Sequence, residues 1–236
     1  MKSHFNNFKS TTILLIQHHE ETYVEPFLNL VTSKNITVSR VLLTEKTANA
    51  NLQYLKNSKA LVVADEPKNP INFEQAKALV VNFFNLNKPI MSLGNVTNLI
   101  FSALKINVKY GKKIFGWKPT MTINHPLHEK PFNEYPKRLL FLGNKCFSSD
   151  INLNTYFLNV LDEKFPVFVK HRSLFLINYT CCLSRKQLHK DCKRLDYTPN
   201  VFRQTSEEIL FQGNKFLNTQ NQFTNNIWSD WCNQLN

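Results

Sequence analysis

Short apolar runs alternate with amphipathic segments along the first hundred residues. Four apolar runs predict β-strands: Thr12–Gln17, Thr37–Leu43, Ala60–Ala64 and Pro89–Leu93. Between them, Tyr23–Ser33 and Phe73–Phe84 carry apolar residues at helical spacing and predict helices, the second opened by a capping box of Asn72 and Gln75. This alternation predicts right-handed crossovers, and hence an α/β fold with an open, mostly parallel sheet and helices on both faces.

The pattern changes beyond Tyr110, where the apolar runs become shorter. They predict further strands at Lys113–Trp117, Arg138–Leu142, Phe165–Val169 and Leu174–Asn178. Two helical segments follow, Ser184–Leu195 and Ser206–Leu235, and the second is expected to break near Thr219. Because no repeat, low-complexity tract or linker interrupts the pattern, we expect residues 1–236 to form a single domain.

The composition is that of a folded protein. With 42% hydrophobic and 12% aromatic residues, the 236-residue chain has enough apolar mass for one large core, which excludes disorder by composition. No segment approaches the roughly 18 consecutive apolar residues that a bilayer span requires, and the apolar run near the start is too short for a signal peptide. We therefore expect a soluble, cytoplasmic protein without a membrane partner.

The five cysteines are odd in number and irregularly spaced, so we expect reduced thiols. Cys181, Cys182, His189 and Cys192 lie close together in the sequence, and thiolates with imidazole bind zinc. Adjacent cysteines in an extended segment point to opposite faces, however, and the usual Cys-x-x-Cys pair is absent. We therefore expect no metal site.

The net charge of +12 is unevenly distributed: residues 1–100 carry 10 Lys/Arg against 7 Asp/Glu, whereas residues 101–236 carry 19 against 10. The most basic stretch has aromatic residues between its lysines, which are Lys105, Lys109, Lys112, Lys113 and Lys118. Such a composition is typical of surfaces that bind single-stranded nucleic acid. The alternative is a solvated basic surface that keeps the protein soluble.

The segment Pro89–Leu99 has the layout of a nucleophile elbow, in which a buried strand turns sharply into a helix. Such a turn holds its nucleophile at the sheet edge, near a helix N-terminus whose partial positive charge favours a thiolate. The turn residue here is Gly94. Glycine suits the positive φ of an elbow but has no atom that can attack a carbonyl.

Several segments, taken in order, resemble the GMP-synthase-like branch of the class I glutamine amidotransferases. They are ILLIQHH at the first strand, ALVVADEP at the third, NKPIMSLGNVTNL at the elbow, GKKIFGWKP after it, SLFLINYTCC late in the chain, and SEEILFQGNKFL with IWSDWCNQL near its end. In that branch the elbow strand leads into a Gly-x-Cys-x-Gly turn. The resemblance covers most of the chain and implies a flavodoxin-like sheet.

The resemblance also implies that the catalytic residues of the family are replaced. The nucleophilic cysteine falls on Gly94, and the late His-Pro-Glu, which supplies the general base and its orienting carboxylate, falls on the segment from Thr180 to Cys182. The Gly-Gly-Pro loop, which helps to form the oxyanion hole, falls on a segment that begins with Asp65 and Glu66. Two carboxylates would repel a developing oxyanion. We therefore expect no hydrolysis of glutamine.

Three residues are expected to line the pocket that the resemblance implies. His18 follows the first strand at its carboxyl end, where the ligand site of a parallel sheet lies. Asn95 follows the elbow glycine, and Trp117 belongs to the strand after the elbow helix. The alternatives are that His18 belongs to a polar loop and that Trp117 is a core aromatic residue.

These observations predict a non-catalytic homologue of the glutamine amidotransferases, which acts as a binding or regulatory protein for an unknown protein or small-molecule ligand and has no cofactor. One alternative is an active amidotransferase or hydrolase with a displaced nucleophile, such as Cys146 or Cys182. Another is an anion or nucleic-acid binder that uses the basic C-terminal half.

Overall fold

The central element of the fold is a seven-stranded sheet. The computed structural model describes residues 12–19, 22–43, 58–94, 96–107, 109–120, 136–148, 154–160, 163–181, 183–195, 199–200 and 202–235. These residues contain nine strands: β1 (Thr12–Gln17), β2 (Thr37–Leu42), β3 (Ala60–Val63), β4 (Ile90–Ser92), β5 (Lys109–Pro119), β6 (Arg138–Ser148), β7 (Asn154–Val160), β8 (Glu163–His171) and β9 (Leu174–Ile177). The strand order is β2-β1-β3-β4-β9-β8-β7, in which the first five strands pair in parallel and β8 pairs antiparallel with both β9 and β7.

Helices cover both faces of this sheet. They are α1 (Glu25–Ser33), α2 (Pro70–Asn85), α3 (Thr97–Ala103), α4 (Arg185–Cys192) and α5 (Ser206–Asn233). Ile13 and Leu15 pack in one apolar cluster with residues of α1 and α5, whereas Leu14 and Ile16 pack in a second cluster with residues of α2 and α3. Because a strand buried on both faces needs apolar residues at every position, the continuous run of β1 is explained. The predicted α/β fold, with a mostly parallel sheet between helices, is confirmed.

A separate two-stranded antiparallel ribbon, β5 and β6, lies beside the sheet. Trp117 and Leu140 of the ribbon form a third cluster with residues of α4 and α5, whereas Ile114, Leu139 and Phe141 pack in the first cluster. The ribbon packs closely on the segment before α5, since a Cβ at Gly116 would lie 2.3 Å from the Gln204 Oε1 atom. Gly116 also has a φ of +112°, which side chains rarely tolerate.

Two sequence predictions about helix ends are wrong. Helix α2 begins at Pro70, because Asn69 caps it by accepting from the Ile71 amide (2.8 Å), so the predicted capping box of Asn72 and Gln75 does not open it. Helix α5 runs unbroken through Thr219, because buried residues continue at helical spacing on both sides of that position. In the described part of the chain, no helix is both long enough and apolar enough to cross a lipid bilayer.

Strand β7 was not predicted from the sequence. Among the described strands it pairs with β8 alone, in antiparallel orientation, and it forms one edge of the sheet. Its sequence NTYFLNV has polar residues at both ends of a short apolar run, so neither strict alternation nor a long apolar stretch marks it. Edge strands of this kind are the hardest to recognise, because their sequence needs to satisfy only one neighbouring strand.

Candidate functional site

Four neighbouring parallel strands end at the same edge of the sheet. Residues His18, Asp65, Gly94 and Thr180 follow β1, β3, β4 and β9 respectively, and we call this region the strand-end edge. Ligand sites of open α/β sheets lie outside the carboxyl ends of their strands. A cavity of about 720 Å³ opens here, and its lining includes His18, Gly94 and Thr180. The structure thus brings together three residues that were separate candidates in the sequence.

The turn at Gly94 is built from main-chain bonds between the central strands. The Leu93 amide donates to the Val63 carbonyl (2.9 Å), and the Ser92 hydroxyl both accepts from the Ile177 amide (2.7 Å) and contacts the Ile177 carbonyl (3.2 Å). Gly94 itself has a φ of +143°. A Cβ there would lie 3.9 Å from the Tyr179 carbonyl oxygen, which is an ordinary contact distance. The backbone conformation, and not a lack of space, therefore favours glycine.

Thr180, which the sequence resemblance matched to the family's general base, ties the end of β9 to β6. Its amide donates to the Leu140 carbonyl (2.8 Å), and its hydroxyl accepts from the Leu142 amide (2.8 Å). The buried Gln220 side chain of α5 completes this connection, because it donates to the Thr180 carbonyl (2.8 Å) and accepts from the Leu140 amide (2.6 Å). The Thr180 side chain therefore serves the architecture of the edge.

The carboxylates of Asp65 and Glu66 bind other parts of the same edge. Asp65 accepts from the amides of His18 (2.7 Å) and His19 (2.9 Å), and it also binds the Thr22 hydroxyl through a short hydrogen bond. Glu66 accepts from the Asn98 side chain (2.9 Å) in α3. Asp65 and Glu66 are thus two acceptors that hold the β1–α1 loop and α3 in place.

His18 belongs to the cavity lining, but both of its ring nitrogens are buried and have no hydrogen-bond partner among the described residues. Burial lowers the pKa of His18 below its ordinary value, an effect that the nearby Asp65 carboxylate opposes. The Leu43 carbonyl also slightly favours the protonated ring but lies outside hydrogen-bonding geometry. The ring is therefore neutral near pH 7, with one donor and one acceptor nitrogen.

Trp117 does not line the cavity, contrary to one of the two readings of the sequence. It is fully buried in the third apolar cluster, and its indole nitrogen donates to the Ile209 carbonyl (2.9 Å). A ring this large is most stable with its apolar surface enclosed and its N–H paired. The third candidate for the pocket, Asn95, lies outside the described residues.

A thiol that the sequence analysis weighed as a metal ligand, and not as a nucleophile, lies at the strand-end edge. Cys181 lines the cavity, and its Sγ atom contacts the Leu93 carbonyl (3.1 Å) beside the Gly94 turn. Cys182, which was named instead as a displaced nucleophile, lies outside the described residues, as does the side chain of Cys146 in β6. Adjacent residues of an extended segment face opposite ways, so the sequence could not tell which of two neighbouring cysteines meets the cavity.

The other cysteines described are buried away from this edge. Burial raises the pKa of the Cys192 and Cys232 thiols to about 11. Cys192 packs with the third cluster, whereas Cys181 belongs to the first, and His189 is exposed. Within the described ranges, no group of three or more His, Cys, Asp or Glu residues is arranged to hold a metal ion.

The lysines of the basic stretch point in different directions. Lys118 is only 5% exposed, so it does not belong to an exposed basic face, and burial lowers its pKa. Lys112 stacks on the Phe202 ring (4.4 Å), whereas Lys113 lines a second cavity of about 790 Å³ beside α2 and α3. Lys105 and Lys109 are exposed. The structure therefore separates side chains that the sequence placed in a single run.

Comparison with known proteins identifies the fold. No family model and no curated protein matches the sequence. Among solved structures, a glutamine amidotransferase from Methylobacillus flagellatus matches with a TM-score of 0.74 at 13% identity, over 97% of this chain and 96% of that one. One from Thermotoga maritima matches with a TM-score of 0.65 at 11% identity, over 94% of this chain and 98% of that one. The strand order, the elbow turn and these matches agree that the chain has the fold of the class I glutamine amidotransferases.

Proposed function

We propose that this chain is a non-catalytic binding protein with the glutamine amidotransferase fold, which holds a ligand in the cavity beside Gly94 and does not hydrolyse glutamine. The observation that supports the proposal best is the combination of an open cavity of about 720 Å³ with a glycine at the elbow. The cavity lies at the carboxyl ends of the strands, where ligand sites of this fold class are found. Gly94, at the turn, has no side chain that could act as a nucleophile.

The chemistry of the family requires several groups that act together. A nucleophile, a general base and an oxyanion hole work as one unit, and the loss of one leaves only the residual effects of binding. At the matching positions, Gly94 offers no nucleophile, and the Thr180 hydroxyl accepts a main-chain hydrogen bond. Asp65 is an acceptor, already bonded to the His18 and His19 amides, whereas an oxyanion hole needs donors. Each change by itself opposes glutamine hydrolysis.

The cavity has the properties expected of a ligand site. Small-molecule sites usually measure about 300–1,000 Å³ and combine apolar walls with a few convergent polar groups. This cavity has apolar walls that include Leu93, Leu142 and Leu183, and its polar groups include His18 and Tyr23. A reduced cavity, filled by larger side chains, would have been the simpler outcome if binding had been lost together with catalysis.

The first experiment measures ammonia release from glutamine by the purified chain. We expect none above the background of a boiled sample. Glutamine turnover that is abolished by Cys181→Ala, Cys146→Ala or Cys182→Ala would support a displaced nucleophile and contradict the proposal. Turnover that survives the triple variant would contradict it equally, because a catalytic group would then lie elsewhere.

The second experiment tests ligand binding in the cavity by blocking it. Gln187 is half-exposed on α4 and lines the cavity, whereas its neighbour Lys186 is exposed and does not. We expect some members of a panel of small metabolites to raise the melting temperature of the wild type and of Lys186→Trp, but not that of Gln187→Trp, because a ligand that binds only the folded state stabilises it. Equal shifts in both variants, or none in the wild type, would contradict binding in this cavity.

A further inference from the structure

We propose that the ligand of this cavity is a small anion, with a carboxylate or phosphate group bound by Lys68. This inference rests on the proposed function. The inference comes from an imbalance in hydrogen bonding at the strand-end edge. The carboxylates of this edge accept hydrogen bonds from the protein itself, whereas Lys68 lines the cavity without a partner among the described residues.

The carboxylates near the cavity are all engaged. Asp65 receives two main-chain amides and the Thr22 hydroxyl, and Glu66 receives the Asn98 side chain. Asp191, on the cavity wall, accepts from the Gln187 side chain (2.8 Å). Because each of these carboxylates already accepts a bond from a protein donor, a ligand rich in donors would compete with bonds that hold the edge together.

Main-chain acceptors of the β1–α1 loop are engaged in the same way. The buried Gln17 side chain donates to the carbonyls of His19 (2.7 Å) and Thr22 (3.1 Å), and its oxygen accepts from the Arg40 side chain (2.8 Å). Gln17 and Asp65 thus bind opposite kinds of groups on the same loop. The carbonyls of this loop are turned toward Gln17 and are less available to a ligand.

The donors show the opposite behaviour. Lys68 lines the cavity from the loop between β3 and α2, is exposed, and has no hydrogen-bond or ion-pair partner among the described residues. Tyr23 also lines it and has no hydrogen-bond partner in that part of the chain. Arg194, just after α4, adds a second cationic side chain to the lining. Ammonium and guanidinium groups bind carboxylates and phosphates by charge-assisted hydrogen bonds.

The position of Lys68 also indicates where the rest of the ligand would lie. It lines both the cavity at Gly94 and the neighbouring one of about 790 Å³, as His19 does, so the two cavities meet at these residues. An anionic group at Lys68 would therefore leave room for the rest of a ligand on the Gly94 side. Small dicarboxylates and phosphorylated metabolites fit this description better than an uncharged molecule of the same size.

The experiment compares matched pairs of charged and uncharged probes. Succinate is paired with succinamide, and glycerol 3-phosphate with glycerol, so that each pair tests one source of the anionic group. Binding is measured by isothermal titration calorimetry at low ionic strength, on the wild type, Lys68→Gln and Lys193→Gln. Lys193 is exposed and absent from the cavity lining, so its variant has the same change in net charge without a change in the cavity.

We expect at least one charged probe to bind the wild type and Lys193→Gln, and to bind Lys68→Gln at least about tenfold more weakly, the size expected for a lost charge-assisted bond. Equal binding of a charged probe and its uncharged partner, an equal loss in both variants, or no binding of either charged probe would overturn the inference. If uncharged metabolites bind and Gln187→Trp abolishes their binding, the proposed function stands although this inference fails. If the blocking variant changes nothing, the proposed function fails first.

Discussion

Polar side chains have different roles at the strand-end edge and at the junction of α5 with the sheet. In the junction, which we call the α5 junction, Gln220 bridges the main chains of Leu140 and Thr180, and the Tyr179 hydroxyl pairs with Thr224 (2.9 Å). All of these polar side chains are buried with their partners. At the strand-end edge the acceptors are paired, but donors such as Lys68 face an open cavity.

The difference shows which polar groups specify the fold and which remain available to a ligand. Buried polar groups cost stability unless they are paired, so a sealed region needs a partner for each of them. A ligand site can leave some groups unpaired, because water or the ligand satisfies them. Thr180 belongs to both regions: its main chain is part of the α5 junction, and it lines the cavity as well.

The most severe test of the comparison is Gln220→Leu in the α5 junction. This change leaves the Leu140 amide and the Thr180 carbonyl without the side chain that pairs them, at a site where Gln220 and Leu140 are both 0% exposed. We expect a loss of about 3 kcal/mol in unfolding free energy, because unsatisfied buried groups cost about 1–3 kcal/mol each. Urea denaturation measures it, with Gln222→Leu at an exposed site of α5 as the control. A loss below about 1 kcal/mol would mean that the junction is not the rigid region described above.

The matching test at the strand-end edge is Asp65→Ala. It removes three accepted hydrogen bonds, but the edge is partly open and water can replace some of them. We expect a loss of about 2 kcal/mol, against less than about 1 kcal/mol for Glu66→Ala, which removes a single bond to Asn98. Equal losses in the two variants would show that Asp65 does not hold the β1–α1 loop as its geometry indicates.

Substitution of Gly94 tests the turn between the two regions. Its φ of +143° is unfavourable for any side chain, while a Cβ meets the Tyr179 oxygen only at 3.9 Å. We therefore expect Gly94→Ala and Gly94→Cys to lose a similar amount of stability, about 1–2 kcal/mol, since the cost lies in the backbone. A much larger loss for cysteine would indicate crowding. Gly94→Cys should also release no ammonia from glutamine, because a thiol alone lacks a base and an oxyanion hole.

A smaller effect is expected from the pH dependence of His18. Because its pKa is lowered in the folded state by burial, the unfolded chain takes up a proton first as the pH falls below about 6.5. The contribution of His18 to stability is therefore present above that pH and is lost as the pH falls toward the folded pKa. Urea denaturation from pH 7 to pH 5 should show a shallower decline for His18→Gln than for the wild type. A steeper or unchanged decline would contradict the neutral, buried ring.

The smallest effect is expected outside both regions, at the lysines of β5. Since Lys112 and Lys113 lie against different neighbours, we expect weak binding to single-stranded RNA or DNA that Lys112→Ala/Lys113→Ala leaves unchanged. A phosphate-tracking surface would instead show a log–log salt slope of about −0.7 per phosphate contacted. Titrations of the wild type and the double variant with single-stranded RNA or DNA, at two salt concentrations, distinguish the two outcomes. Sub-micromolar binding that is steep in salt and lost in the double variant would contradict the expectation.

Local pattern was sufficient to predict the order of the strands and helices, except for β7. The apolar run of β1 and the spacing of α1 and α2 follow from rules that relate neighbouring residues. Helix α5 was predicted with a false break at Thr219, and α2 with the wrong cap, since both features depend on contacts that local pattern does not contain. The elbow glycine could be located because a strand and a helix bracket it.

The chemistry of the candidate site depended on contacts between residues far apart in the chain. The sequence by itself determined that Gly94 stands at the turn and that His18, Asp65 and Thr180 follow strands whose ends meet at one edge. Only the tertiary structure decided that Asp65 binds the loop 47 residues before it, that Cys181 faces the cavity, and that Trp117 and Lys118 are buried. Periodicity states which element a residue belongs to, whereas the partner of a polar group and the burial of a side chain are set by how distant elements pack.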